Sequence, residues 1–244
     1  MALITISVLS CSQVAQRTNN EIVCVLFDIS GSTNNLPMRR AYAYNLRMVL
    51  SELKPGDRLI IGYINSNSQE VLTLPVNIEL PTYTESWFDN PEIDKREKRE
   101  TLQYIADTLR FVEASVDSTI AVGRCSADRT DIIGSLKLTQ RLFENYPDYE
   151  KILMINSDMR EDDVWYNFDR KDLSNARVDR IIKELGQRGL IANLVGVKIY
   201  VAGASARTIR RYDEIKHFWS QYFRSAGANC SAADYGAALI RFDE

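Results

Sequence analysis

Short apolar runs of strand length, each followed by a polar turn and an amphipathic stretch, constrain this chain more than any other feature. The first run, residues 22–27, reads Ile-Val-Cys-Val-Leu-Phe without a polar interruption. A strand wetted on one side alternates apolar and polar residues. A continuous run of this length therefore predicts a strand covered on both faces, as in a parallel sheet. Ser, Gly and Asn fill residues 30–35, and residues 39–54 then carry Tyr42, Leu46, Val49, Leu50 and Leu53 at helical spacing. Pro55 and Gly56 end that segment. Residues 58–64 predict a second buried strand and 71–80 a third. The polar link at 65–69 is too short for a crossover, which makes these two antiparallel neighbours.

The alternation continues to the end of the chain. Residues 101–115 and 131–145 predict helices, 151–157 (KILMINS) a buried strand, 178–188 a helix, and 191–201 a strand. Residues 206–225 predict a long last helix bearing Phe218, Trp219, Tyr222 and Phe223. Such a sequence predicts the α/β class: an open, mostly parallel central sheet with one antiparallel edge strand and helices on both faces. No internal repeat or low-complexity tract divides it. Residues 21–244 read as one domain with an exposed, charged insertion at 81–100, and residues 1–20 as a separate apolar segment and tether. Within the insertion, residues 94–100 mix charges of both signs, the mark of a solvated helix.

Composition then excludes several chemistries. The chain has 244 residues, of which 45% are hydrophobic and 26% charged, enough for a core in a soluble domain. No stretch approaches the roughly 18 apolar residues of a membrane-spanning helix. With 30 basic against 33 acidic residues, the net charge of −3 argues against a nucleic-acid binder. The single histidine, His217, rules out a multi-histidine zinc site and leaves any histidine-based catalytic triad only that residue. It reads as a packed or surface position on the last helix. Cys11, Cys24, Cys125 and Cys230 lack the paired short spacings of a zinc site. Cys24 reads as a small buried hydrophobe. Cys125 and Cys230 lie in turn-rich stretches, where export would allow a disulfide and a reducing compartment would leave free thiols.

The segment Val8-Leu9-Ser10-Cys11 ends an apolar run and resembles a bacterial lipobox, with Cys11 as the lipidated residue and residues 12–20 as a polar tether. A basic leader ordinarily precedes such a run, and none stands ahead of it in this sequence. A frayed first strand or a disordered tail is the alternative. The lipoprotein reading favours the cell envelope over the cytoplasm, with membrane attachment only through Cys11.

Ligands of open α/β sheets bind beyond the carboxyl ends of the strands. Asp28, Ser30 and Ser32 follow the first strand, Thr130 and Asp131 lie in the loop before a later helix, and Asp158 follows the KILMINS strand. If the topology holds, two carboxylates and three hydroxyls share one sheet edge. Alternate positions of an extended turn direct Asp28, Ser30 and Ser32 to one side, and Gly31 lets the backbone bend closely. Hard oxygen donors with few negative charges suit Mg²⁺, Mn²⁺ or Ca²⁺ rather than zinc. Each residue also has a plainer reading. Ser30 and Ser32 can cap a helix and turn, Thr130 can be the N-cap of the helix at 131, and Asp158 can be an ordinary loop acid. Asp131 reads as an acid at a helix N-terminus or as an outer partner of the oxygen group.

These elements together resemble the von Willebrand factor A domain and its metal-ion-dependent adhesion site, over roughly residues 20–225. Ordinary residue usage yields a D-x-S-x-S string in roughly one chain in twenty of this length, so the weight lies in its place after an apolar strand, with Thr130 and Asp158 in order. The resemblance implies a Rossmann-like fold and metal ligands Asp28, Ser30, Ser32, Thr130 and Asp158. It implies Mg²⁺, or Mn²⁺ or Ca²⁺, as the ion, and a protein partner whose Asp or Glu completes the coordination. It also implies a binding module rather than an enzyme. One departure stands out: the family's last Asp is often followed by Gly, and here by Met159. The acidic loop Glu161, Asp162, Asp163 is particular to this chain.

Two other functions compete. A Mg²⁺-dependent phosphoryl-transfer enzyme would use Asp28, but the haloacid dehalogenase-like pattern needs a second Asp where Ser30 stands, and no phosphate loop of the G-x-x-x-x-G-K type occurs. A scaffold with a vestigial metal site would recognise its partner through residues 81–100. Arg207, Arg210 and Arg211 read as a solvated basic face.

Overall fold

A computed structural model describes residues 19–66, 68, 73–83, 91–121, 129–163, 165–170, 172–239 and 242. Cys11, the tether up to residue 18 and Cys125 fall outside them. Five strands, β1 (Glu21–Asp28), β2 (Arg58–Ile64), β3 (Thr73–Glu79), β4 (Glu150–Asn156) and β5 (Lys198–Ala202), form one sheet in the order β3-β2-β1-β4-β5. β1 pairs parallel with β2 and β4, β4 pairs parallel with β5, and β3 alone is antiparallel, against β2. The α/β class, the central first strand and the antiparallel edge follow the sequence pattern.

The central strand shows why an uninterrupted apolar run was required. Every residue of β1 is buried. Ile22, Cys24 and Leu26 enter one core layer, and Val23, Val25 and Phe27 the other. The first layer is closed by α3 (Ile132–Glu144), α4 (Asn175–Gln187) and α5 (Ile209–Ser225), and the second by α1 (Leu36–Glu52) and α2 (Pro91–Ala121). The edge strand β3 instead alternates exposed and half-buried residues, and it tolerates Pro75 because an edge position has no obligatory ladder donor on its outer side. Beyond α5, Asn229 and Tyr235 bridge to Lys198 and Val201, so an irregular segment covers the outer edge of β5.

Two elements differ in extent from the sequence expectation. Residues 94–100 are helical, as their mixed charges predict, but instead of standing in a separate insertion, residues 91–100 run without a break into residues 101–121 as one 31-residue α2. They lack an apolar stripe and are held by surface pairs such as Lys95 with Glu92 and Arg96 with Glu100. Residues 191–197, expected as the start of a strand, form a loop with Gly196 at φ +77°. This apolar stretch is buried against α5: the Tyr222 hydroxyl donates to the Leu190 carbonyl and accepts the Ala192 N–H. No helix among the described residues is long and apolar enough to cross a membrane.

Candidate metal centre

The first loop begins where β1 ends and is stitched by its own polar side chains. The Ser30 N–H donates to Asp28 Oδ1 at 2.9 Å. The Thr33 hydroxyl contacts the carbonyls of Asp28 at 2.8 Å and Ser30 at 3.0 Å. The hydroxyls of Ser30 and Ser32 lie 3.1 Å apart, and Asn35 then caps α1 by accepting the Met38 N–H. Gly31 has no left-handed φ, and a Cβ added there would meet nothing within 4 Å. The chain turns there, the Ser30 carbonyl accepting the Thr33 N–H at 3.3 Å, but the Asp28 and Thr33 side chains set the turn without calling on glycine's freedom.

The loop after β4 meets the first one. The Ser157 hydroxyl donates to Asp28 Oδ2 at 2.7 Å and accepts the Met159 N–H at 2.9 Å. Ser32 lies near enough to Asp158 to favour its ionised form, and Asp158 Oδ1 accepts the Arg160 N–H. Asp28, Ser30 and Asp158 are all buried. Burial, and then the charge of Asp28, push the Asp158 carboxyl up to about 6. Burial likewise raises Asp28 above the ordinary carboxylate range, against the pull of Ser157, Ser30 and Arg160. The Arg160 guanidinium partly offsets the two acids, with Nε 3.5 Å from Asp158 Oδ2 while Nη2 holds Asp169 at 2.7 Å.

Met159 is the one non-glycine residue with positive φ among the described residues, at +63°. It takes the backbone conformation for which glycine is the usual residue, at a cost of about 1–2 kcal/mol. Its surroundings hold it there. The side chain is fully buried, Ser157 Oγ accepts its N–H, and Trp219 Nε1–H donates to its carbonyl at 2.8 Å. The Met at this position therefore leaves the loop conformation intact.

The middle loop approaches through its backbone. Thr130 is buried and exchanges N–H and carbonyl bonds with Asp162 at 3.0 and 2.9 Å, and the Asp131 N–H donates to Asn65 at the end of β2. The structure thus brings Asp28, Ser30, Ser32 and Asp158 close together, the first three joined by hydrogen bonds, whereas the Thr130 hydroxyl bonds to none of these four. The N-cap of α3 is Asp131, accepting the Gly134 N–H at 2.7 Å, and not Thr130. An added Cβ at Gly134 would sit 2.2 Å from the Asp131 carboxylate, so glycine allows the cap its close approach. Ser157 and Arg160, each bonded to the acids, were not singled out from the sequence. Ser157 ends the KILMINS run, and only pairing with β1 shows that it faces Asp28.

Strand order, the antiparallel edge and the meeting of D-x-S-x-S with the Asp158 loop decide the architecture. It is the arrangement that the resemblance to the von Willebrand factor A domain implies. No protein-family model matches the chain, and no curated protein matches its sequence. Solved structures that resemble it include an aerotolerance-related membrane protein from Bacteroides fragilis, at 11% identity and TM-score 0.43, covering 87% of this chain and 92% of that one. A von Willebrand factor type A protein from Catenulispora acidiphila aligns at 13% identity and TM-score 0.35, over 86% of this chain and 43% of the other. The manganese-loaded TRAP protein of Plasmodium vivax aligns at 14% identity and TM-score 0.41, over 91% and 69%. The fold leaves the remaining expectations of the sequence in unremarkable places. His217 is half-buried on α5, Arg210 and Arg211 pair with Glu214, Cys24 is a buried thiol, and Cys230 is free.

Proposed function

We propose that this chain is a divalent-cation-dependent protein-binding module. Asp28, Ser30, Ser32, Thr130 and Asp158 would hold the ion, Mg²⁺ or Mn²⁺ with Ca²⁺ as the alternative. The donor set fits such an ion: hard oxygens only, two carboxylates diluted by hydroxyls, at the carboxyl edge of an α/β sheet. The observation that carries the reading is the convergence of Asp28 and Asp158, two buried acids each raising the cost of ionising the site. A cation removes that cost. When bound, it supplies a Lewis-acid position for an Asp or Glu carboxylate of the partner.

Two further features support binding over phosphoryl transfer. Both Asp28 oxygens are anchored, one by the Ser30 N–H and one by the Ser157 hydroxyl. This is the posture of a fixed ligand rather than of a nucleophile. Exposed Leu36 and Ile209 open α1 and α5, the helices that follow β1 and β5. They offer apolar contacts at the same sheet edge, as protein docking surfaces do. The lipid anchor at Cys11 and an envelope location belong to the same proposal.

Calorimetric titration of Mg²⁺ into the chain and into Asp28→Ala tests the site. The account expects heat of binding in the first and none in the second, and equal behaviour contradicts it. Partner binding that survives EDTA would favour a scaffold with a vestigial site.

A further inference from the structure

A second group of acids lies beside the first and shares none of its carboxylates. Asp131 and Glu161 are buried and Asp163 half-buried, and one carboxylate oxygen from each lies within 4.8 Å of the others. Each acid is fixed in place by backbone donors. Asp131 Oδ1 accepts the Gly134 N–H, and Glu161 Oε2 accepts the N–H groups of Ile132 and Ile133 at 3.0 and 3.2 Å. Asp163 Oδ1 accepts those of Trp165 and Tyr166. The other Glu161 oxygen, Oε1, is fully buried and has no hydrogen-bond partner. An unpaired buried carboxylate oxygen is expensive, and the cost rises when two more acids face it. Burial and then the charges of Asp163 and Asp131 accordingly push the Glu161 carboxyl well up. The N-terminus of α3 supplies only about half a positive charge to set against three acids.

We propose that Asp131, Glu161 and Asp163 form a second divalent-cation site, suited to Ca²⁺, that ties the Thr130 loop to the Asp158 loop. One oxygen from each acid lies near enough to the others for all three to share one ion. Ca²⁺ accepts the irregular coordination that backbone-fixed carboxylates impose, whereas Mg²⁺ demands a near-ideal octahedron. A dense, hydroxyl-free set of carboxylates is also the donor chemistry of Ca²⁺ rather than of the Asp28 group.

The test uses the whole chain, with Tb³⁺ as a luminescent substitute for Ca²⁺ and Trp165, in the same turn as Asp163, as sensitiser. Tb³⁺ should give indole-sensitised luminescence that Ca²⁺ displaces. Asp28→Asn should leave that signal in place, which separates this site from the first. Asp163→Asn at the half-buried rim and the near-isosteric Glu161→Gln should each weaken Ca²⁺ competition at least tenfold, with unchanged near-UV circular dichroism. Unchanged luminescence and Ca²⁺ affinity in both variants would overturn the proposal, as would loss of the signal in Asp28→Asn.

Discussion

The two loops that meet at the rim are held by opposite means. The loop after β1 is closed by bonds between residues two to five positions apart: Ser30 to Asp28, Ser30 to Ser32, and Thr33 to Asp28 and Ser30. The loop after β4 is anchored from far away. Ser157 reaches Asp28 across 129 positions, Trp219 on α5 holds the Met159 carbonyl across 60, and Glu161 reaches the start of α3. A loop stitched locally keeps its shape wherever its own residues are present. A loop anchored at a distance keeps it only when the sheet and two helices are in place, and such a loop can hold a strained residue. Met159 at φ +63° is that residue.

The contrast breaks most easily at Met159. Met159→Gly removes about 1–2 kcal/mol of backbone strain but also a fully buried side chain whose loss costs about 2–5 kcal/mol. With roughly 0.5–1 kcal/mol more for the chain entropy of glycine, the net expectation is a destabilisation of about 3 kcal/mol in denaturant unfolding. A gain in stability would show that strain, not packing, dominates there. Ser157→Ala tests the long-range anchor itself. It strips a charge-assisted bond from buried Asp28 and the acceptor from the Met159 N–H, a loss of about 2 kcal/mol in the same assay. The smallest effect belongs to the local loop. Gly31→Ala meets open space at an ordinary φ and should change stability by no more than about 0.5 kcal/mol. A large loss would mean that the first loop depends on its glycine after all.

The same contrast explains what was legible in the sequence. Ile22 to Phe27, Asp28, Ser30 and Ser32 announce a buried strand and a locally bonded turn, because the uninterrupted apolar run and the bonds that close the turn lie within a few positions. The antiparallel edge was readable from the short link at 65–69 for the same reason. Ser157 and Arg160 were not readable, since their partners come from pairing with β1 and from Asp169. The place of Asp131 at the helix N-terminus was legible, but that it and not Thr130 is the N-cap was not, because Asp and Thr at adjacent positions both make N-caps. The mixed charges of residues 94–100 announced a solvated helix, but its continuity with residues 101–121 was not legible, and neither was the 191–197 loop. Surface ion pairs hold the former and α5 covers the latter, and neither leaves a periodic apolar signature.

The central claim is that Asp28 and Asp158 are paired for a cation, and thermal unfolding of Asp158→Asn with and without Mg²⁺ tests it most directly. The Asp158 carboxyl, held at about 6, favours its protonated form in the fold, so ionisation weakens the cation-free protein as pH rises from about 4 to about 6. At pH 7 in EDTA the neutral Asn should therefore make the variant more stable than the parent, by about 2 kcal/mol. Saturating Mg²⁺ at about 100 times its dissociation constant should stabilise the parent by about 2.7 kcal/mol and leave the variant unmoved. A variant less stable than the parent in EDTA, or one that responds to Mg²⁺ as the parent does, would contradict the account.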